Sequence, residues 1–146
     1  MNVPNFDSLS REELVAMLKI TMTDQFTGYL TGSAALAFYG ETPKGKTLVF
    51  VDVCNVHACN HLYGMDNTNS RWIASFQARP ADKIVKWGGD EFVILLDDDD
   101  ADGFVSRVKA SMRENNVYAV FSVVKTSTSL KETVARADML AMSVKR

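Results

Sequence analysis

Apolar residues recur at helical spacing near the start of the chain, where Leu14, Met17, Leu18 and Thr21 follow Ser10 and Glu13 at the separation of a capping box. That spacing predicts a first helix. A second, shorter helix is expected over residues 33–39, because Gly40, Pro43 and Gly45 then break the chain. The run TLVFVDV follows, β-branched and without polar alternation, which suits a strand buried on both faces; its one polar member is Asp52. From residue 66 to residue 78 the period returns to that of a helix, with Trp72, Ile73 and Phe76 assigned to one face and Pro80 marking the boundary.

Two further strands, over residues 83–87 and 91–96, flank Gly88 and Gly89, a hairpin signal. Asp97 to Asp100 come next. Four successive carboxylates could be a cation site, but they stand directly ahead of the helical pattern Phe104, Val105, Val108, Met112, where negative charge favours the positive end of a helix dipole. VYAVFSVV is a fourth strand, and Ser129 with Glu132 caps a last helix carrying Leu130, Val134, Ala137, Ala141 and Val144. The order β, α, β-hairpin, α, β, α is that of a ferredoxin-like palm, an α+β fold with a mixed, mainly antiparallel central sheet flanked by helices. We divide the chain into an N-terminal helix over residues 1–22 and one compact domain over residues 23–146.

The 146 residues carry 16 basic and 18 acidic side chains, and 47% of them are hydrophobic, as in ordinary globular domains. This balance excludes the basic stripe that duplex nucleic acid demands. No apolar run approaches the length of a membrane span, and the N-terminus lacks a basic-then-apolar signal segment, so a cytoplasmic location away from membranes is expected.

Topology gives the polar residues their meaning. With a right-handed crossover between the first strand and the hairpin, the second hairpin strand starts where the first strand ends, which sets Asp52 beside Asp90 and Glu91. Carboxylates gathered at one sheet end repel each other, and a divalent cation with oxygen ligands, such as Mg²⁺, relieves that repulsion. Adjacent glycines at the same place let a phosphate approach the backbone closely.

The pentapeptide Gly88-Gly89-Asp90-Glu91-Phe92 resembles the signature of the GGDEF family, the diguanylate cyclases that join two GTP molecules into cyclic di-GMP. Asp24-Gln25-Phe26-Thr27-Gly28 resembles the family's D-x-L-T-G segment. Asp52, Asn60 and Gly64 resemble its D-x-D-x-F-K-x-x-N-D-x-x-G-H segment, and Ala137-Asp138 through Lys145 its terminal helix. The resemblance implies a nucleotidyl cyclase in which Asp52, the carbonyl of Val53, Asp90 and Glu91 hold Mg²⁺ or Mn²⁺, with Asp52, Asp90 and Glu91 catalytic. It further implies GTP or another nucleoside triphosphate held by Asn55, Val56, His57, Asn60, Asn69, Gly88, Gly89 and Lys145. Catalysis would require a homodimer, transient or stable, because each copy holds one nucleotide.

The departures are specific. Cys54 stands where the family has its second aspartate, Val56-His57 replaces Phe-Lys, and Asn69 stands where an aspartate would read guanine. Aspartate offers two acceptors to guanine, whereas an amide offers one acceptor and one donor, which fit adenine at least as well. Altered base choice, retained guanine and loss of turnover all stay open. Arg79 and Asp82 form the R-x-x-D of the family's product-binding inhibitory site, or else an exposed helix-end charge and a turn residue. In the first case a chain without turnover would be a cyclic di-GMP receptor. Finally, Cys54, His57, Cys59 and His61 are all the cysteines and histidines of the chain and are zinc-ligand types. Crowded into one tight loop, they read better as two free thiols and two pocket histidines.

Overall fold

A computed structural model describes residues 5–40, 47–76, 83–96, 100–126 and 129–145. After a single 3₁₀ turn, Phe6–Ser8, the chain forms α1 (Arg11–Met22), β1 (Leu30–Thr31), α2 (Gly32–Tyr39), β2 (Thr47–Val53), α3 (Val56–Tyr63) and α4 (Met65–Phe76). It continues through β3 (Lys83–Lys86), β4 (Glu91–Leu96), α5 (Ala101–Glu114), β5 (Ala119–Lys125) and α6 (Leu130–Lys145).

The capping box that begins α1 is made in full: the Glu13 amide donates to Ser10 Oγ at 3.1 Å and the Ser10 amide to Glu13 Oε2 at 3.2 Å. Past α1, Asp24 tightens the turn into β1 by accepting from the Thr27 amide at 2.9 Å and the Thr27 hydroxyl at 2.6 Å. Burial pushes the Asp24 carboxyl up, yet these bonds and the charge of Lys86 hold it below its ordinary value.

The sheet has five strands in the order β1-β3-β4-β2-β5. β1 is parallel to β3, and every other neighbouring pair is antiparallel. β2 is an interior strand, between β4 and β5, and all seven of its residues are buried, as a non-alternating run requires. Its two faces serve two cores. Val49, Val51 and Val53 join Phe92, Ile94 and Leu96 under Trp72 and Phe76 of α4 and Phe104, Val108 and Met112 of α5. Leu48 and Phe50 join Val93 and Leu95 under Ala35 of α2 and Leu130, Val134, Ala137 and Ala141 of α6. The first core is aromatic at its centre, with Phe92 meeting Trp72 edge-on at 5.3 Å and Phe76 at 4.7 Å between ring centroids.

The α+β palm expected from the sequence is therefore the observed fold. Four details differ. Residues 54–61, expected as one tight loop, are largely the helix α3, and the short edge strand β1 had no sequence signal. Ile73 and Val144, assigned to apolar faces, are 41% and 68% exposed: Ile73 sits at the margin of its helical stripe, and Val144 lies on its stripe but in the last turn of α6. Strand β3 also ends one residue early, at Lys86. Of the four aspartates, Asp100 caps α5 by accepting from the Gly103 amide at 3.1 Å; Asp97, Asp98 and Asp99 lie outside the described residues.

Candidate active site

Strand pairing places the first two carboxylates. Asp52 is the residue directly opposite Glu91 in the β2–β4 ladder. By the two-residue period, Asp52 shares the face of Leu48 and Phe50, and Glu91 that of Val93 and Leu95, so both side chains leave the sheet on the α6 side. Asp52 is buried and Glu91 half-buried. Like charges directly opposite each other across antiparallel strands repel.

The turn between β3 and β4 folds over this pair. The Trp87 and Gly88 amides both donate to the Glu91 carbonyl, at 2.9 and 3.2 Å, and the Val53 amide donates to the Asp90 carbonyl at 2.9 Å. The last bond ties the metal-ligand candidates Val53 and Asp90 together through their backbones. At Gly88 a Cβ would lie 3.0 Å from Glu91 Oε2, so a glycine is what lets the carboxylate lie against the turn. At Gly89 a Cβ would meet nothing within 4 Å, leaving open space above the backbone.

These residues fit a hard divalent cation by their chemistry, since the donors are carboxylates and a carbonyl. They are not a finished cage: among the described residues no three His, Cys, Asp or Glu side chains are gathered as a metal-holding group. Asp90 thus stands at the same sheet end as Asp52 and Glu91 without completing a three-carboxylate set.

The nucleotide candidates distribute over three elements. α3 begins two residues past the end of β2, so Asn55 and Val56 stand at the Asp52 end of the sheet. His57 is exposed in the first turn of α3, and Asn60 is half-buried in its second. Gly64, at φ 79°, separates α3 from α4. Asn69 is buried on α4 beside Thr68 and makes no hydrogen bond among the described residues. Lys145 arrives from the opposite direction. Because β5 runs antiparallel to β2, α6 starts at the Thr47 end and packs back along β2; its 16 residues rise about 24 Å, the length of the strand. Its last turn, which contains Lys145, therefore returns towards Asp52. Arg79 and Asp82 lie outside the described residues.

The cysteine and histidine cluster does not come together. Cys54, His57 and His61 are exposed, whereas Cys59 is buried, its sulfur 3.6 Å from the Asn116 carbonyl. Burial pushes the Cys59 thiol up, against a smaller pull downward from Arg71. Both cysteines are free.

Sequence reasoning missed the residues that hold α3 and α4 in place. Arg71 lies over the Tyr63 ring at 3.6 Å, donates through Nε to Asn67 Oδ1 at 2.9 Å, and through Nη1 to the Asn115 carbonyl at 2.7 Å. Asn116 adopts φ 56° just past α5. The available signal was an asparagine pair at the end of a helical period, a common left-handed stop.

No protein-family model matches this sequence, and no curated protein matches it. Solved structures do. The diguanylate cyclase SiaD from Pseudomonas aeruginosa, solved with its activator SiaC, is 22% identical, with a TM-score of 0.71 over 93% of this chain and 62% of SiaD. The coiled coil and GGDEF domain of DgcB from Caulobacter crescentus, solved in complex with c-di-GMP, is 18% identical, with a TM-score of 0.67 over 93% of this chain and 86% of that one. The chain has the GGDEF-domain fold. A diguanylate cyclase/phosphodiesterase from Caldicellulosiruptor saccharolyticus shares that fold at 17% identity and a TM-score of 0.69, over 88% of this chain and 90% of its own. The chain thus spans less than two-thirds of the length of SiaD. Among the described residues of this GGDEF fold, no helix is long and apolar enough to cross a membrane.

The separation of the thiols has a direct test. A disulfide-exchange reagent is expected to titrate one thiol per native chain, Cys54, and two in denaturant. Protection of both thiols in the native chain, reversed by a chelator, would show that they bind metal after all.

Proposed function

We propose that this chain is a GGDEF-type nucleotidyl cyclase, which condenses two nucleoside triphosphates into a cyclic dinucleotide. The observation that carries this reading is the direct opposition of Asp52 and Glu91 beneath the Gly88-Gly89 turn. Asp52, Glu91, the Val53 carbonyl and Asp90 would hold Mg²⁺ or Mn²⁺, which when bound supplies positive charge to phosphoryl oxygens. Glu91 accepts the proton of the attacking ribose 3′-hydroxyl at a carboxylate oxygen. First-turn amides of α3, with those of the glycine turn, receive phosphate oxygens, and Lys145 adds a compact positive charge. Asn60 and Asn69, on adjoining helices, face the base. Since one copy provides one nucleotide site, the reaction joins two copies face to face.

A second reading has its own support in the sequence. Arg79 and Asp82 keep the R-x-x-D pattern while the base-reading position has changed to Asn69, the combination suited to a cyclic di-GMP receptor. Arg79→Ala is then expected to weaken cyclic di-GMP binding by about 1.5–3 kcal/mol, the worth of a charged hydrogen bond and at least tenfold in affinity. Calorimetry in which the wild type binds none removes this reading.

Incubation with each nucleoside triphosphate and Mg²⁺ or Mn²⁺, followed by mass analysis of products, tests the cyclase directly. Asp90→Asn is expected to abolish turnover while the urea midpoint stays unchanged or rises, because one negative charge is removed from the sheet end that also carries Asp52 and Glu91. A large fall in the midpoint would make Asp90 a structural residue instead.

Base choice rests on Asn69. Asn69→Asp is expected to shift preference towards GTP over ATP by roughly 1–3 kcal/mol, the discrimination given by a well-aligned bidentate base contact. Calorimetry with non-hydrolysable GTP and ATP analogues on both proteins measures the ratio. An unchanged ratio would mean that Asn69 does not read the base.

A further inference from the structure

Asn55 occupies the N-cap position of α3, yet its side chain makes no capping hydrogen bond. Its Nδ2 donates to the Asn116 carbonyl at 3.0 Å and to Cys59 Sγ of α3 at 3.2 Å, and its Oδ1 accepts from the Tyr118 amide at 3.0 Å. One side-chain amide therefore pairs with the main chain on both sides of Val117, continuing the ladder whose preceding bond runs from the Cys54 amide to the Tyr118 carbonyl at 2.7 Å. A side-chain amide offers a donor and an acceptor in one plane, as such a pairing requires. Because this amide is engaged elsewhere, the first-turn amides of α3 are left to other acceptors.

Asn116 grips the far end of the same helix. Its Nδ2 lies 3.4 Å from the Tyr63 hydroxyl, so one residue touches α3 at its first and last turns. It can do so because its backbone is left-handed, a conformation that asparagine tolerates better than most residues. The neighbouring Asn115 carbonyl holds Arg71, and through it α4.

We propose that Asn55 and Asn116 are positioning residues: the turn between α5 and β5 sets where the first turn of α3 presents its amides, and thereby sets nucleotide affinity from a point 61 residues away in sequence. This rests on the nucleotide reading given above. Neither side chain touches the phosphates in this scheme; each acts through the backbone of α3.

Two measurements separate the proposal from the reading beneath it. In the chain without nucleotide, Asn55→Ala is expected to speed amide hydrogen exchange in α3, most at Cys59 and Asn60, at least tenfold, with β4 amides unchanged. Equal acceleration in β4, or none in α3, overturns the proposal whether or not nucleotide binds. Calorimetry with a non-hydrolysable GTP analogue and Mg²⁺ is expected to show Asn55→Ala and Asn116→Ala each binding about tenfold more weakly, a loss of about 1.4 kcal/mol. Asn116→Gly, which keeps the carbonyl and adopts the left-handed turn freely, is expected to recover most of that loss relative to Asn116→Ala. If Asn55→Ala does not fold, the two Asn116 variants, whose side chain is exposed, decide by themselves: equal affinity in both overturns the proposal. A wild type that binds neither the GTP nor the ATP analogue overturns the nucleotide reading, and with it the link to affinity, while the exchange result still reports whether Asn55 anchors α3.

Discussion

The register between β2 and β4 is the constraint on which the rest of this molecule depends. Six consecutive residue pairs, from Thr47 with Leu96 to Asp52 with Glu91, fix it. A slip of one residue would exchange the two faces of a strand and send Phe50 and Leu48 into the core built for Val49 and Val51. Both cores are full, so neither strand can move against the other. The opposition of Asp52 and Glu91 is consequently imposed by the buried apolar side chains of the same two strands, and cannot be relaxed by sliding.

The Gly88-Gly89 turn continues that logic. Glu91 begins β4, so its backbone belongs to the ladder, while its carboxylate lies against Gly88 at a distance that a larger side chain would close. The backbone bond from Val53 to Asp90 then couples the end of β2 to the start of β4 beyond the last paired residues. Rigidity at this point is built in part from main-chain bonds.

With the tests of Asp90 and Asn69 in view, the legible and illegible parts of the sequence divide along physical lines. The β2 run, the glycine hairpin and the capping box of α1 are local signals, and each appears where its residues predicted. Opposition of Asp52 and Glu91 also followed, because right-handed crossover leaves a hairpin strand little choice of direction. The helix α3 did not. Its residues Val56-His57-Ala58-Cys59 bury only Cys59, so no periodic stripe announces it, and it is held by contacts that reach across more than fifty residues, such as that of Asn116 with Tyr63. Ile73 and Val144 failed for a milder reason, since a helical period identifies a stripe but neither its edges nor where along the helix the packing stops.

Those long-range bonds also explain how the chain can depart from the sequence pattern it resembles and keep the shape. Where that pattern has an aromatic residue followed by a lysine, this chain has Val56 and His57, and the residue just ahead of them, Asn55, supplies an anchor. It secures the turn with two hydrogen bonds to main-chain groups around Val117. An amide that pairs with two main-chain groups at once contributes both the missing ladder rungs and the anchor. Because both main-chain partners of Asn55 are backbone groups, this attachment of α3 does not depend directly on which side chains stand at positions 116 and 118.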